Sequence, residues 1–204
     1  MQHVTIWGRA DSANVQKVLW ACDEMNIVFE RIDAGGTHGR TTDPAYRQLN
    51  PTMRVPTLVI GNEAVWESNT ILRYLASTNS DERLYPHDFM QRSQIERWMD
   101  WQLGSLNHPM RVVFLGVIRH VEDAAFERSV EDAQQHWTLL DAELHDRRFI
   151  TGDTLSLADI AIGPLVHRWF NMPIEREQTS HVEAWYEGLR ESAGYRRHVC
   201  KPLS

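Results

Sequence analysis

Glu67-Ser68-Asn69 places side chains together that could hold both ends of an α-amino acid. Ser68 stands where an apolar helical pattern begins, so its plainest role is an N-cap for a free backbone N–H. A helix N-terminus with an available hydroxyl also suits a carboxylate, and Glu67 beside it suits an ammonium group. A second serine, Ser12 in Gly8-Arg9-Ala10-Asp11-Ser12-Ala13-Asn14-Val15, follows a short strand pattern and opens another helix. Asp11 or Ser12 caps that helix on the simplest reading. The other use of the hydroxyl, together with the helix amides, is to stabilise an anion. For a thiol this means a pKa below the free value of about 8.5.

Arg54-Val55-Pro56-Thr57 brings a proline into the start of a strand, where the missing N–H belongs at a sheet edge. A trans bond is the commoner state. A cis bond would turn the Val55 backbone outward, so that its N–H and C=O could pair with a peptide ligand as an added strand. Ser156 and Asp159 read differently. They form a capping box, with Leu155 and Ile160 as its hydrophobic staple, and serve folding, not chemistry.

Other chemistries lack their residues. Ten histidines include no HExxH and no zinc spacing with the cysteines, so no metal is expected. There is no Walker loop, no GxGxxG and no nucleophile elbow. Cys22 falls on the inward face of a helix, where an inert thiol is expected, whereas Cys200 near the C-terminus is expected to be exposed and oxidisable. Two distant cysteines argue against a disulfide framework and fit a reducing cytosol. With 21 Lys and Arg against 28 Asp and Glu the net charge is −7, a poor match to phosphate backbones. No apolar run approaches the roughly 20 residues that cross a bilayer, and the N-terminus does not read as a signal peptide. The composition, 42% hydrophobic and 24% charged, is that of a globular protein of one or two domains.

The elements that must position these residues follow from periodicity. Residues 3–7 read as a strand, 12–25 as a helix with Val15, Val18, Leu19 and Cys22 inward, and 27–32 as a second strand. A Gly- and Thr-rich loop over 34–43 leads to a short helix at 44–49. Strands at 57–60 and 64–66 flank the hairpin turn Gly61-Asn62, and 68–77 is a helix with Ile71, Leu72 and Leu75 inward. The order β-α-β-α-β-β-α needs one parallel crossover and one hairpin. A linker spans 80–88, and only helices are expected beyond it: 91–103, 110–121, 124–144, 156–170 and 182–190. Gly104 and Pro109 are expected to kink or break the chain between the first two.

In this order the pieces resemble a cytosolic glutathione S-transferase over nearly the whole chain. The resemblance rests on Val55-Pro56, on Glu67-Ser68 with Thr70-Ile71-Leu72-Arg73-Tyr74-Leu75 after it, and on Ser156 to Asp159. The stretch from Ser12 to Val18 is most similar to bacterial and theta-like members that use serine. The resemblance implies an α/β plus all-α fold: a thioredoxin-like βαβαββα domain over 1–79, a linker over 80–88 and an all-helical domain over 89–204. It implies a cis Pro56, with Val55 pairing to the cysteinyl part of glutathione and Glu67 and Ser68 holding the γ-glutamyl end. Arg54, and less directly His38, would serve the glycyl carboxylate. Ser12 would donate a hydrogen bond to the thiolate, with Asn14 and Arg9 as alternates. Tyrosine is absent from the end of the first strand, where Trp7 stands, and positions 8–14 hold no cysteine.

The implied reaction is attack by a glutathione thiolate on an electrophilic, largely apolar substrate, a detoxifying transfer of an alkyl or aryl group. Trp7, Arg9, Trp101, Met110, Arg111 and Phe114 are the expected electrophile pocket, although core packing explains any one of these aromatics as well. Two alternatives differ in class: a glutathione-dependent disulfide or peroxide reductase, and a non-catalytic binder or adapter similar to the stringent-starvation type. A cytoplasmic homodimer is expected, with Asp100 reaching the neighbouring protomer's glutathione. Neither nucleic acid nor membrane is an expected partner.

Overall fold

The computed structural model describes residues 3–79, 82–121 and 123–203; Ser80 and Asp81 of the expected linker lie outside the described residues. The first half alternates strands and helices: β1 (Val4–Trp7), α1 (Ala13–Glu24), β2 (Glu30–Ile32), α2 (Pro44–Leu49), β3 (Thr57–Ile60), β4 (Glu63–Trp66) and α3 (Ser68–Asn79). The sheet order is β2-β1-β3-β4. β1 pairs parallel with β2 through the α1 crossover, and antiparallel with β3, so the sheet is mixed. β3 and β4 form the hairpin, with Gly61 at φ +60 in the turn. Side chains alternate across β1. Ile6 enters the core, and Trp7, on the other face, packs edge-on against Tyr46 of α2 at 5.7 Å.

The second half is helical: α4 (Phe89–Trp101), α5 (Asn107–Arg119), α6 (Ala124–Glu143), α7 (Leu157–Asn171), α8 (Ser180–Leu189) and α9 (Ala193–His198). The apolar α7 lies at its centre, with nearly every residue buried, and packs on α1, α4 and α8. α1 in turn contacts α3, α7 and α9, so the two halves share one core. Trp20, Trp137 and Trp169 are fully buried in it.

The capping box at α7 is present. The Asp159 carboxylate, fully buried, accepts from the Ile150 and Ser156 amides, the Ser156 hydroxyl and the Trp185 indole, each at 2.9 Å. Burial pushes its carboxyl above the ordinary range while these donors oppose that shift.

The structure refines the expected elements at three places. The second strand is shorter than 27–32, because the Ile27 amide closes the end of α1 on the Cys22 carbonyl and Val28 is 83% exposed. Gly104 and Pro109 do not break the chain. A π-turn over Gln102–Leu106 joins α4 to α5, and Pro109 sits in the first turn of α5, where the wider turn before it absorbs the missing N–H. The short α9 follows an N-cap at Ser192 that the periodicity did not show.

Candidate active site

Two helix starts and one strand start converge. At the first, the loop after β1 is pinned by the parallel ladder, with Gly8 N–H on Ile32 O at 2.8 Å and Arg9 N–H on Ala34 O at 3.0 Å. A Cβ at Gly8 would lie 2.4 Å from Val15 Cγ2, so no larger residue fits there without displacing α1. Ser12 occupies the N-cap of α1, and its side chain makes no cap hydrogen bond. The capping role expected for Ser12 is therefore absent, and its half-buried hydroxyl is available beside the first amides of α1.

At the second start, Glu67 precedes α3 with φ +68, a left-handed conformation costly for a residue with a Cβ. The turn leaves Glu67 exposed and Ser68 buried. Ser68 Oγ donates to Asn14 Oδ1 at 3.3 Å, so Asn14 ties the start of α1 to the start of α3. Such strain is usually held where a site requires it and costs about 1–3 kcal/mol. Glu67→Gly is therefore expected to leave thermal stability unchanged or slightly raised, while glutathione affinity falls by about tenfold or more, which parallel melting and binding measurements would show.

At the strand start the Val55–Pro56 bond is cis. The loop before it hangs on buried side chains: Tyr46 Oη donates to Arg54 O at 2.6 Å, and Asn50 Nδ2 donates to the same carbonyl at 2.9 Å and to Thr57 Oγ1 at 2.9 Å. Val55 makes no backbone hydrogen bond among the described residues. Its side chain packs near Gly35, where a Cβ would meet Val55 Cγ1 at 3.3 Å, and the next residue, Gly36, carries Arg9 against it. Arg9, the 35–36 loop and Val55 thus form one rim beside Ser12.

Arg9 pairs with Asp11 at 2.5 Å. Arg168 of α7 donates to the Asp11 carbonyl at 2.9 Å and covers the Phe114 ring at 3.9 Å. Burial, with Arg9 nearby, lowers its pKa to about 10 against the pull of Asp11. The exposed His38 reaches Asp33 at 3.7 Å, and Arg54 is exposed at the outer end of the cis-proline loop.

Of the expected electrophile residues, Phe114 is tied to the Ser12 loop through Arg168, and Arg111 is exposed on α5. Met110 is buried and accepts the Trp137 indole N–H, and Trp101 packs between Trp98 and His136, so both are engaged between helices. Trp7 faces α2. Asp100 pairs with Arg73 at 2.7 Å. Cys22 is buried, which drives its thiol up to about 12. Cys200 is half-buried, contrary to the exposure expected of it, and burial raises its pKa too. Arg168 and Lys17 were not legible as site residues, because each acts through a contact distant in sequence; Tyr46 and Asn50 act over four to eleven residues, through a loop whose course no periodicity shows.

A mixed four-stranded sheet with a cis X–Pro strand entry, fused to an all-helical half, is the architecture of the glutathione transferases. Residues 11–78 match the family model for the glutathione S-transferase N-terminal domain and 123–188 that for the C-terminal domain. This chain belongs to the glutathione S-transferase family. It is 34% identical over 208 residues to glutathione S-transferase GstB of Escherichia coli K12, covering 98% of this chain and 100% of the relative. It is 26% identical over 195 residues to the disulfide-bond oxidoreductase YfcG of the same organism, covering 89% and 87%. Among solved structures, the theta-class glutathione S-transferase of Xanthomonas axonopodis pv. citri with glutathione bound superposes with TM-score 0.95 at 38% identity, covering 100% of both chains.

Proposed function

We propose that this chain is a glutathione S-transferase of the serine type. The observation that carries the reading is the Ser12 hydroxyl, which stands at a helix N-terminus without capping it. Glutathione would lie across the converging starts. Its γ-glutamyl carboxylate would meet Ser68 and the first amides of α3, and its ammonium would meet Glu67. Its cysteinyl backbone would pair with the unpartnered Val55. Arg54 and His38 flank the glycyl end. The sulfur would then come to Ser12, with Asn14 engaged at Ser68 and Arg9 on the rim.

The thiol proton leaves to water, and the thiolate is held by the Ser12 O–H, the α1 amides and the cations grouped around Asp11. The sulfur attacks an electrophilic carbon, a C–S bond forms, and the bond to the leaving group breaks with its electron pair. Arg9, Arg168 and Phe114 gather at the Ser12 loop and would border the electrophile, with Arg111 exposed on α5; Trp7, Trp101 and Met110 pack against α2 and between helices. No described helix is long and apolar enough to cross a membrane. Exposed Tyr74, Phe89, Met90 and Leu103 supply apolar surface for the homodimer that the family resemblance implies.

The test is turnover with glutathione and an activated aryl halide, run beside reduction of a small dialkyl disulfide. Aryl conjugation that exceeds disulfide reduction supports the transferase reading. Disulfide reduction without conjugation would contradict it.

A further inference from the structure

Beneath the Glu67–Ser68 turn lies a charged group that the conjugation chemistry does not use. Lys17 of α1 is 1% exposed. Its ammonium donates to Gln102 Oε1 of the π-turn at 2.9 Å and to Asn69 Oδ1 of α3 at 3.3 Å. Asn69 Nδ2 donates onward to Met99 O at 3.0 Å and to Gln102 Oε1 at 3.2 Å. Lys17 has amide oxygens as hydrogen-bond partners and no carboxylate in contact among the described residues. A buried ammonium held only by neutral groups is costly, so its placement needs a reason.

The charges at the pocket above it supply one. Glutathione bound as proposed brings a carboxylate and an ammonium to a site that already holds Glu67. Two negative charges and one positive would then share the turn, where the ligand displaces water from the exposed Glu67. We propose that Lys17 is the countercharge of the γ-glutamyl pocket, a positioning residue whose buried ammonium balances the second carboxylate and fixes Asn69 and Gln102 under the Glu67–Ser68 turn. This rests on the glutathione reading above.

The electrostatics agree with that geometry. Burial lowers the Lys17 pKa to about 7 and Glu67, the charged group acting on it, raises it. Covering Glu67 with ligand removes water from between the two, so their attraction strengthens. The protonated form of Lys17 then binds glutathione more tightly, and affinity is fully present below pH 7 and falls as the pH rises through that value.

The experiment is calorimetric binding of S-methylglutathione, which has no ionisable thiol, to the full chain between pH 6 and 8. Wild-type affinity is expected to fall about fivefold across this range, the effect of raising the Lys17 pKa by about one unit on binding. Lys17→Met is expected to bind about tenfold more weakly at pH 6 with little pH dependence, and Lys17→Arg to bind well at both ends. A flat wild-type profile would overturn the proposal without any variant, as would Lys17→Met binding like wild type. No binding by wild type at any pH would instead remove the glutathione reading itself, and this proposal with it.

Discussion

Ser12→Ala is expected to lower kcat/KM for conjugation by about ten- to a hundredfold, the cost of one hydrogen bond to a charged group. The KM for glutathione should change little, because the binding contacts lie at Val55, Glu67 and Ser68. The folded state should also change little. An N-cap serine usually contributes about 1 kcal/mol, but Ser12 makes no cap hydrogen bond. Ser156 is the contrast: its hydroxyl accepts from Ala158 N at 3.3 Å and donates to Asp159. Kinetics and melting curves of the two alanine variants should therefore separate cleanly. Ser12→Ala should lose rate and keep stability, and Ser156→Ala should do the reverse. A Ser12→Ala enzyme with full kcat/KM would pass the thiolate role to backbone amides or Asn14.

The second large effect concerns stability. Asp159→Ala is expected to cost about 3–5 kcal/mol, because its removal leaves buried donors from Ile150, Ser156 and Trp185 without an acceptor. For a chain of this size that lowers the melting temperature by about 10 °C. Asp159 lies at the start of α7, away from the Ser12 and Glu67 turns, so activity per folded molecule should be retained. Thermal melts beside active-site-titrated kinetics check both halves. Unchanged melting would mean that water replaces the carboxylate.

These cases show which parts of the molecule were legible beforehand. Ser12, Val55-Pro56, Glu67-Ser68 and the α7 box each declare themselves within a few neighbouring residues, since caps, strand entries and turns are local devices. The order of strands and helices followed from periodicity for the same reason. What escaped depends on contacts between distant segments or on the course of an irregular loop. Lys17 carries no sign of its role until α3 and the π-turn are seen to enclose it. Arg168 joins the site only because α7 crosses beneath the β1–α1 loop. Tyr46 and Asn50 support the cis-proline loop from α2 and the residue after it. The Gly104 and Pro109 signals were real, and the interruption they mark is a π-turn that takes up the missing N–H without ending the helical run.

The central claim is that this fold activates a glutathione thiol through Ser12 at the head of α1. Ultraviolet titration of the thiolate in the protein–glutathione complex tests it most directly. The account predicts a bound-thiol pKa one to two units, roughly, below the free value near 8.5, with most of that shift lost in Ser12→Ala. A bound thiol that titrates at its free value would contradict it.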